Sequence, residues 1–198
     1  MDPQAPRLTA RFREALVWAA ELHATQTRKG SDTPYVGHLL AVASTVIEHG
    51  GDEDQAIAAL LHDAIEDQGG AETRREIRRR FGDRVVAIVD ACTDTDETPK
   101  PPWQIRKERY IAHLAEIPDD ALLISLADKY QNVLSILRDY QLVGEQLWSR
   151  FSGKKDGTLW YYRALADAYA ARGGGRLAEE VGRMVGELEH MATRELGE

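Results

Sequence analysis

Helical periodicity runs through almost the whole sequence, and no segment shows the sustained apolar–polar alternation of a half-buried strand. The clearest stripe lies in the third predicted helix, where apolar residues recur on one helix face: Ile57, Leu60, Leu61, Ala64 and Ile65. Asp52 and Gln55, three residues apart, predict a capping box at the start of that helix. The pattern therefore predicts an all-α fold, a helical bundle of about eight to ten helices.

Glycines and prolines divide the sequence into its predicted helices. The predicted helices cover about 8–25, 35–48, 53–68, 72–81, 83–92, 103–116, 119–140, 158–172 and 176–196. A loop is predicted over 93–102, because three prolines within four residues cannot continue a helix. A second loop is predicted over 152–157.

Composition restricts the class of protein. Of 198 residues, 43% are hydrophobic and 29% are charged, which is typical of a globular domain. Without a long linker or a repeat, we expect one domain over 1–198, with its motifs in about 8–140 and a helical extension over about 141–198. The net charge of −8 argues against a main role in binding nucleic acid or an anionic membrane. A single cysteine, Cys92, and the lack of an apolar run of about 20 residues favour a cytoplasmic protein.

Four ionisable residues, His62, Asp63, Glu66 and Asp67, gather where the apolar stripe of the third helix ends. On one continuous helix, His62 and Glu66 would share a face, and Asp63 and Asp67 would share the adjacent face. An adjacent His-Asp pair can offer one metal ion both an imidazole nitrogen and a carboxylate oxygen. The alternative is a solvated acidic helix end, although acidic side chains at a helix C-terminus oppose the helix dipole.

Two further segments could complete a metal site. His38 lies in an apolar helix, where a lone histidine is more often a core residue than a ligand. Asp128 ends an apolar run, and a buried carboxylate there needs a partner or a metal. Asn132, one turn later, is either a surface amide or a group that holds water near the metal. Together with His62 and Asp63, His38 and Asp128 offer two nitrogens and two oxygens. This set suits Mn, Fe, Zn, Ni or Co better than Ca or Mg.

A basic cluster follows the first predicted helix, and it contains Arg28, Lys29 and Ser31. It is either a solvated turn or a contact for an anion and a base. In the second interpretation the arginine stacks on a purine and the lysine meets phosphate.

In order and spacing, four motifs resemble the hydrolase domain of RelA/SpoT-type alarmone enzymes and their stand-alone relatives, the small alarmone hydrolases. The motifs are HATQTRKG at 23–30, PYVGH at 34–38, ALLHDAIED at 59–67, and LADK at 126–129 with Asn132. The resemblance covers about 8–132, and the tail after Asp139 aligns only loosely. It implies an HD-type helical enzyme that removes the 3′-pyrophosphate from (p)ppGpp with Mn²⁺.

The same resemblance implies a role for each matching residue. The implied ligands of one divalent ion are His38, His62, Asp63 and Asp128. The implied catalytic residues are Glu66 and Asp67, which would position and deprotonate the attacking water, and Asn132, which would assist near the metal or the ribose. The implied substrate contacts near the purine are Arg28 and Lys29, and we expect Ser31 of the same basic cluster to bind the substrate as well.

Two departures from the family pattern bear on the substrate. Leu39 stands where a proline usually follows the first metal histidine, and Ser125 stands where a lysine usually precedes Leu-Ala-Asp. Neither is an implied ligand, so hydrolysis is still expected. Because Ser125 removes a positive charge near the site, guanine and adenine alarmones both remain open. No synthetase motif follows, and we expect the chain to degrade alarmone.

The stretch 100–109 is locally basic in an acidic chain, so we expect Lys107 and Arg109 to meet the pyrophosphate. The alternative for both residues is a solvated surface. The long final helices could also pair in a homodimer.

Three other functions stay open at this point. The chain could be an HD phosphohydrolase that acts on another nucleotide, such as a nucleotidase, a nucleoside triphosphate hydrolase or a phosphodiesterase. It could be a non-catalytic module that senses a nucleotide, although such a module would be expected to lose ligands. It could also be a helical scaffold, which would bind no stoichiometric metal ion.

Overall fold

The computed structural model describes residues 8–95, 97 and 99–194, and the regular elements of these residues are all helices. Ten α-helices and one 3-10 helix are assigned in this part of the chain: α1 (Ala10–Leu22), α2 (Val36–Glu48), α3 (Glu53–Leu61), α4 (Ala64–Asp67), α5 (Ala71–Phe81), α6 (Asp83–Cys92), α7 (Trp103–His113), α8 (Asp119–Val143), the 3-10 helix (Gly144–Arg150), α9 (Lys154–Ala171) and α10 (Gly175–Arg194). The all-α prediction is confirmed. No helix in the described ranges is long and apolar enough to cross a bilayer.

The chain divides into two compact units. The first unit comprises 1–100 and 117–127, and the second comprises 101–116 and 128–198. The chain passes between the units at 100/101, at 116/117 and, inside α8, between Ala127 and Asp128. The prediction of one domain over 1–198 stays a prediction.

The core of the first unit forms around α3, which packs against α1, α2 and α6. Every residue from Ala56 to Leu61 is fully buried, as expected for a helix that is apolar all round. The predicted capping box is confirmed, because the Asp52 carboxylate accepts from the Gln55 backbone at 3.0 Å and the Gln55 side chain accepts from the Asp52 backbone at 3.0 Å. This cap fixes where α3 begins and therefore which residues lie at its other end.

The prediction of one helix over 53–68 was wrong, because α3 ends at Leu61 and α4 begins at Ala64. His62 and Asp63 form the junction between the two helices. The Nδ1 atom of His62 lies 2.8 Å from the Ala59 carbonyl oxygen. The side chain thereby competes for a carbonyl that an uninterrupted helix would offer to the Asp63 amide. The break places His62 and Asp63, both candidate metal ligands, at the end of α3.

In the second unit, α9 packs against α7, α10 and the 3-10 helix. The predicted loop over 152–157 was wrong in part, because α9 already begins at Lys154. Gly153 suggested a loop, but it faces the Trp103 indole so closely that a Cβ atom would lie 2.6 Å from the ring. Because Gly153 has no side chain, the Trp103 ring can pack against its backbone directly before the start of α9. The predicted final helix is confirmed as far as Arg194, and its last two residues lie outside the described part.

Candidate functional site

Two buried imidazoles meet inside the first unit, where α2 packs against α3. His38 on α2 and His62 at the α3–α4 junction are 7% and 2% exposed, and their ring centroids lie 5.3 Å apart in an edge-to-face arrangement. Because a carbonyl only accepts, the contact with Ala59 requires the hydrogen on Nδ1 of His62. In the neutral form of this tautomer, Nε2 carries the lone pair, which is the arrangement found in metal-ligating histidines.

Asp63 adds a carboxylate oxygen to this pair. Its Oδ2 lies 3.0 Å from Nε2 of His62 and 3.9 Å from Nε2 of His38. The Tyr35 hydroxyl donates to the same oxygen at 2.5 Å, and the Tyr35 ring packs against the edge of His38 at 5.4 Å. Two ring nitrogens and one carboxylate oxygen thus converge, which is a donor set that fits a divalent transition-metal ion.

Glu66 follows on α4, with a side chain that is 18% exposed. Its Oε1 accepts from the Lys100 ammonium at 2.8 Å. Burial raises the pKa of Glu66, the hydrogen bond and charge of Lys100 lower it, and the charges of Asp63 and Asp94 raise it again. The net pKa lies above the ordinary glutamate value, which brings this carboxylate closer to the range of a general base at neutral pH.

Asp67 has a neutral partner at one carboxylate oxygen and a charged one near the other, because its Oδ1 lies 4.0 Å from the Lys100 ammonium nitrogen. Its Oδ2 accepts from Nε2 of Gln26 at 2.8 Å. The other end of the Gln26 amide lies 2.6 Å from His23 and 2.6 Å from Gln68. The two adjacent carboxylates on α4 thus share the Lys100 ammonium, which lies closer to Glu66, and the Gln26 amide additionally orients Asp67.

The basic cluster lies in a hairpin-like turn between α1 and α2. Thr27 and Pro34 form an isolated antiparallel bridge, and the Arg28 backbone donates to Thr33 at 2.8 Å. The Arg28 guanidinium lies 5.8 Å from the centroid of the Tyr35 ring, while Lys29 and Ser31 occupy the exposed turn. The turn is anchored close to Tyr35, and the predicted contact of these three residues with a purine stays a prediction.

The second unit carries the remaining predicted residues. Asp128 on α8 is 7% exposed, which confirms its predicted burial, and its Oδ1 accepts from the Asn132 amide one turn later. Its Oδ2 accepts from the Lys129 ammonium at 2.5 Å. On α7, the Lys107 ammonium lies 5.0 Å from the centroid of the Tyr161 ring, and Arg109 is exposed.

Four contacts that orient predicted site residues were missed in the sequence. Tyr35, Gln26 and Lys100 contact Asp63, Asp67 and Glu66, and Lys129 contacts Asp128. Tyr35 and Gln26 belong to the quoted motifs but received no role there. Their position in those motifs was the only available signal, because both contact partners more than 25 residues away in the sequence.

Comparisons with known proteins agree with this architecture. The HD domain family profile matches residues 15–159. The guanosine-3′,5′-bis(diphosphate) 3′-pyrophosphohydrolase MESH1 of Xenopus tropicalis is 40% identical over 139 residues, which cover 69% of this chain and 73% of that protein. A guanosine-3′,5′-bis(diphosphate) 3′-pyrophosphohydrolase of Aquifex aeolicus is 33% identical over 131 residues, 66% of this chain but only 18% of that longer protein.

A solved structure gives the same result at the level of the fold. It is described as a metazoan ortholog of SpoT that hydrolyzes ppGpp, and it shares 28% sequence identity with this chain at a TM-score of 0.76. The match covers 94% of this chain and 99% of the other. The chain therefore belongs to the HD-domain family and, within it, to the 3′-pyrophosphohydrolases of the MESH1 type.

Proposed function

We propose that this chain hydrolyses the 3′-pyrophosphate of alarmone nucleotides, (p)ppGpp or (pp)pApp, and releases pyrophosphate and the 5′-nucleotide. One observation carries the proposal. Two buried imidazoles and the Asp63 carboxylate converge directly before Glu66 and Asp67 on α4. This combination pairs a place for a cation with two candidate proton acceptors, which metal-assisted hydrolysis requires. Relatives named for this activity support it.

We propose His38, His62, Asp63 and Asp128 as the ligands of one divalent ion, with Mn²⁺ as the expected metal. The mixture of nitrogen and oxygen donors supports a transition metal over Ca²⁺ or Mg²⁺. A divalent ion held by these residues would place positive charge against the phosphoryl oxygens and acidify a nearby water. Tyr35 and the Ala59 carbonyl fix the carboxylate and the imidazole before any ion binds.

Glu66 and Asp67 are the proposed acceptors of the proton from the attacking water. The water oxygen forms a bond to the phosphorus that is attached to the ribose 3′ oxygen. The bond from that phosphorus to the 3′ oxygen breaks, and the 3′ oxygen takes up a proton as the nucleotide leaves. The raised pKa of Glu66 suits the role of base, and the orientation of Asp67 by Gln26 suits the positioning of the water. Asn132 orients Asp128 through its amide.

Substrate binding is proposed for two basic groups. Arg28, Lys29 and Ser31 would contact the purine, with Arg28 already close to the Tyr35 ring. Lys107 and Arg109 would meet the pyrophosphate. Replacing both of these with Ala is expected to raise KM by about a hundred-fold or more, because each charged hydrogen bond contributes about 1.5–3 kcal/mol. An unchanged KM would remove them from the substrate site.

The decisive assay uses the purified protein with Mn²⁺ and four nucleotides, namely ppGpp, pppGpp, ppApp and pppApp. Pyrophosphate release is the readout, and Asp63→Ala is the inactive control. Release from any of the four, lost in the control, supports the proposal, and the preferred nucleotide identifies the base. If none of the four releases pyrophosphate while metal still binds, the proposal fails and another nucleotide becomes the expected substrate.

A cytoplasmic location and a homodimer also stay proposals from the sequence. The first is tested by fractionating cells that express the chain. The second is tested by light scattering of the purified protein across a range of concentrations.

A further inference from the structure

A short network of polar side chains leads from a buried imidazole to Asp67. We propose that Gln26 is a positioning residue that sets the orientation of the Asp67 carboxylate, and that His23 and Gln68 fix Gln26 in one orientation. The inference rests on the proposed function, in which Asp67 faces the attacking water. All four residues belong to the first unit.

The distances describe a complete network. The Gln26 amide nitrogen donates to Oδ2 of Asp67 at 2.8 Å. The Gln26 carbonyl oxygen lies 2.6 Å from Nδ1 of His23 and accepts from the Gln68 amide at 2.6 Å. The Gln26 backbone is also held at both ends, because its N–H donates to the His23 carbonyl at 3.0 Å and its carbonyl accepts from Tyr35 at 2.9 Å.

An ionised Asp67 carboxylate determines which groups around Gln26 donate hydrogen bonds and which accept them. An ionised carboxylate has acceptors only, so Gln26 must turn its NH₂ group toward Asp67. Its oxygen must then face His23 and Gln68, and His23 must carry a hydrogen on Nδ1 to donate to it. The reverse amide orientation would place an oxygen against the carboxylate and the NH₂ group against the donor of Gln68. One amide orientation and one imidazole tautomer satisfy the contact with Asp67 and both 2.6 Å contacts of the Gln26 oxygen, whereas the 3.5 Å approach of the Gln68 amide nitrogen to Nδ1 of His23 is then not a hydrogen bond.

His23 anchors the network in the core. It is 2% exposed, and its ring stacks on Tyr35 with the centroids 5.4 Å apart. Its Nε2 atom is buried and has no hydrogen-bond partner among the described residues. A hydrogen on Nε2 would therefore lack an acceptor, and this favours the same Nδ1–H tautomer that Gln26 requires.

Asp67 needs such support because it ends a helix of only four residues and its side chain is 28% exposed. A carboxylate in that position has several accessible rotamers in the absence of a fixed donor. Partners that orient a group at a metal site typically affect activity by about 10–100-fold. Gln26 is therefore expected to act on turnover more strongly than on substrate binding.

The test uses two replacements of Gln26, assayed for pyrophosphate release on the best alarmone. Gln26→Leu removes the donor and the acceptor, and Gln26→Glu keeps the acceptor for His23 and Gln68 while losing the donor to Asp67. Both are expected to lower kcat by about 10–100-fold, with KM and the Mn²⁺ dissociation constant within about three-fold of wild type. Gln104→Glu is the matched control, since Gln104 donates to the Glu108 carboxylate on the exposed face of α7, and its kcat should not change.

A double-mutant cycle separates positioning from general structural damage. If Gln26 acts through Asp67, Gln26→Leu should add no further loss of kcat to Asp67→Asn. Multiplicative losses would overturn the inference, and so would wild-type kcat in either Gln26 variant. Failure of the wild-type chain to release pyrophosphate from any alarmone is a different result, because it overturns the proposed function and the role of Gln26 with it.

The imidazole gives an independent readout that needs no turnover. Nitrogen chemical shifts of ¹⁵N-labelled histidine in the wild-type chain should identify His23 as the Nδ1–H tautomer. In Gln26→Leu, which lacks the acceptor, this tautomer should no longer be enforced. A wild-type His23 with its hydrogen on Nε2 would contradict the network.

Discussion

Carboxylates are held differently in two regions, the α3–α4 junction of the first unit and the Asp128 turn of α8 in the second. At the junction, Asp63 accepts from the neutral Tyr35 hydroxyl. On α8, Asp128 accepts from Asn132 and also from the Lys129 ammonium. Burial lowers the pKa of Lys129, but the charge of Asp128 raises it, and the result lies well above the ordinary lysine value. The Asp128 charge therefore favours the ammonium form of Lys129.

The carboxylates of Asp63 and Asp128, both proposed ligands, differ in the partners that hold them. Asp63 is oriented by the neutral Tyr35 hydroxyl, and its Oδ2 lies 3.0 Å from Nε2 of His62 and 3.9 Å from Nε2 of His38, so its charge faces the two imidazoles that we propose as ligands. Asp128 is already balanced by Lys129, and that charge can offset the cost of burying the carboxylate. We therefore expect the junction to supply most of the metal affinity and the α8 turn to supply mainly geometry.

The largest expected effect is that of removing the negative charge of Asp63. Asp63→Asn keeps the shape but removes the charge, and kcat/KM should fall by about a thousand-fold, equivalent to about 4 kcal/mol of barrier. The same change at Asp128 should weaken Mn²⁺ binding less, because Lys129 already offsets the charge there. Calorimetric titration of both variants with Mn²⁺ gives the comparison. A larger Mn²⁺ dissociation constant for Asp128→Asn than for Asp63→Asn would contradict the expectation that the junction supplies most of the metal affinity.

The next effect concerns Lys129. Lys129→Met leaves a buried carboxylate without its cation, and the free energy of unfolding in EDTA should fall by about 3 kcal/mol. Because a ligand of the native state stabilises it in proportion to its affinity, added Mn²⁺ should raise the Tm of this variant by more than that of wild type. Thermal unfolding with and without metal measures both changes.

Lys155→Met is a matched control for this experiment, since Lys155 is also largely buried and is paired with Glu145. Its metal-induced rise in Tm should equal that of wild type. A smaller metal-induced rise in Lys129→Met than in wild type would show that the ammonium assists the ion and does not compete with it.

A smaller effect concerns the Lys100 ammonium, which lies closer to Glu66 than to Asp67 on α4. Lys100 lowers the pKa of Glu66 against the effect of burial, so Lys100→Met should raise that pKa further. The acidic limb of kcat/KM should then move to higher pH, because Glu66 must be ionised to act as a base. A pH–rate profile tests this, with the exposed Lys154→Met as control. An unmoved limb would exclude Glu66 as the group that titrates there.

The smallest effect is on stability. Because the folded pKa of Glu66 is raised above the unfolded value, its contribution to stability is present below the unfolded pKa and is lost as pH rises through the folded pKa. Glu66→Gln has no such loss, so its Tm should rise relative to wild type as pH increases through that range. Parallel Tm curves for the two proteins would contradict the raised pKa.

Much of this fold could be predicted because its signals are local. The apolar stripe of α3, the Asp52–Gln55 cap and the limits of α6 depend on neighbours in the sequence, and the structure confirms them. The break at His62 depends on a side chain that takes a backbone carbonyl, which no periodicity records. The early start of α9 depends on Gly153 packing against Trp103, fifty residues earlier in the sequence.

The candidate site divides in the same way. The His62–Asp63 pair and a buried Asp128 could be predicted as parts of a metal site from residue type and pattern, whereas a lone His38 on an apolar helix was more typical of a core residue until the motifs were matched. Tyr35, Gln26 and Lys100 could not be assigned roles, because each contacts its carboxylate from 28 to 41 residues away. Residue type suggests what a side chain can do, whereas its partner is fixed only by tertiary packing.

Whether pyrophosphate release depends on a bound metal ion can be measured by titrating EDTA-treated protein with Mn²⁺. Pyrophosphate release from the preferred alarmone and bound Mn²⁺, followed by electron paramagnetic resonance, are measured on the same samples. We expect activity to rise in step with bound metal and to saturate at one ion per chain, while Asp63→Asn shows neither at the same concentrations. Full activity in the metal-free protein, or saturation of binding without any release of pyrophosphate, would contradict it.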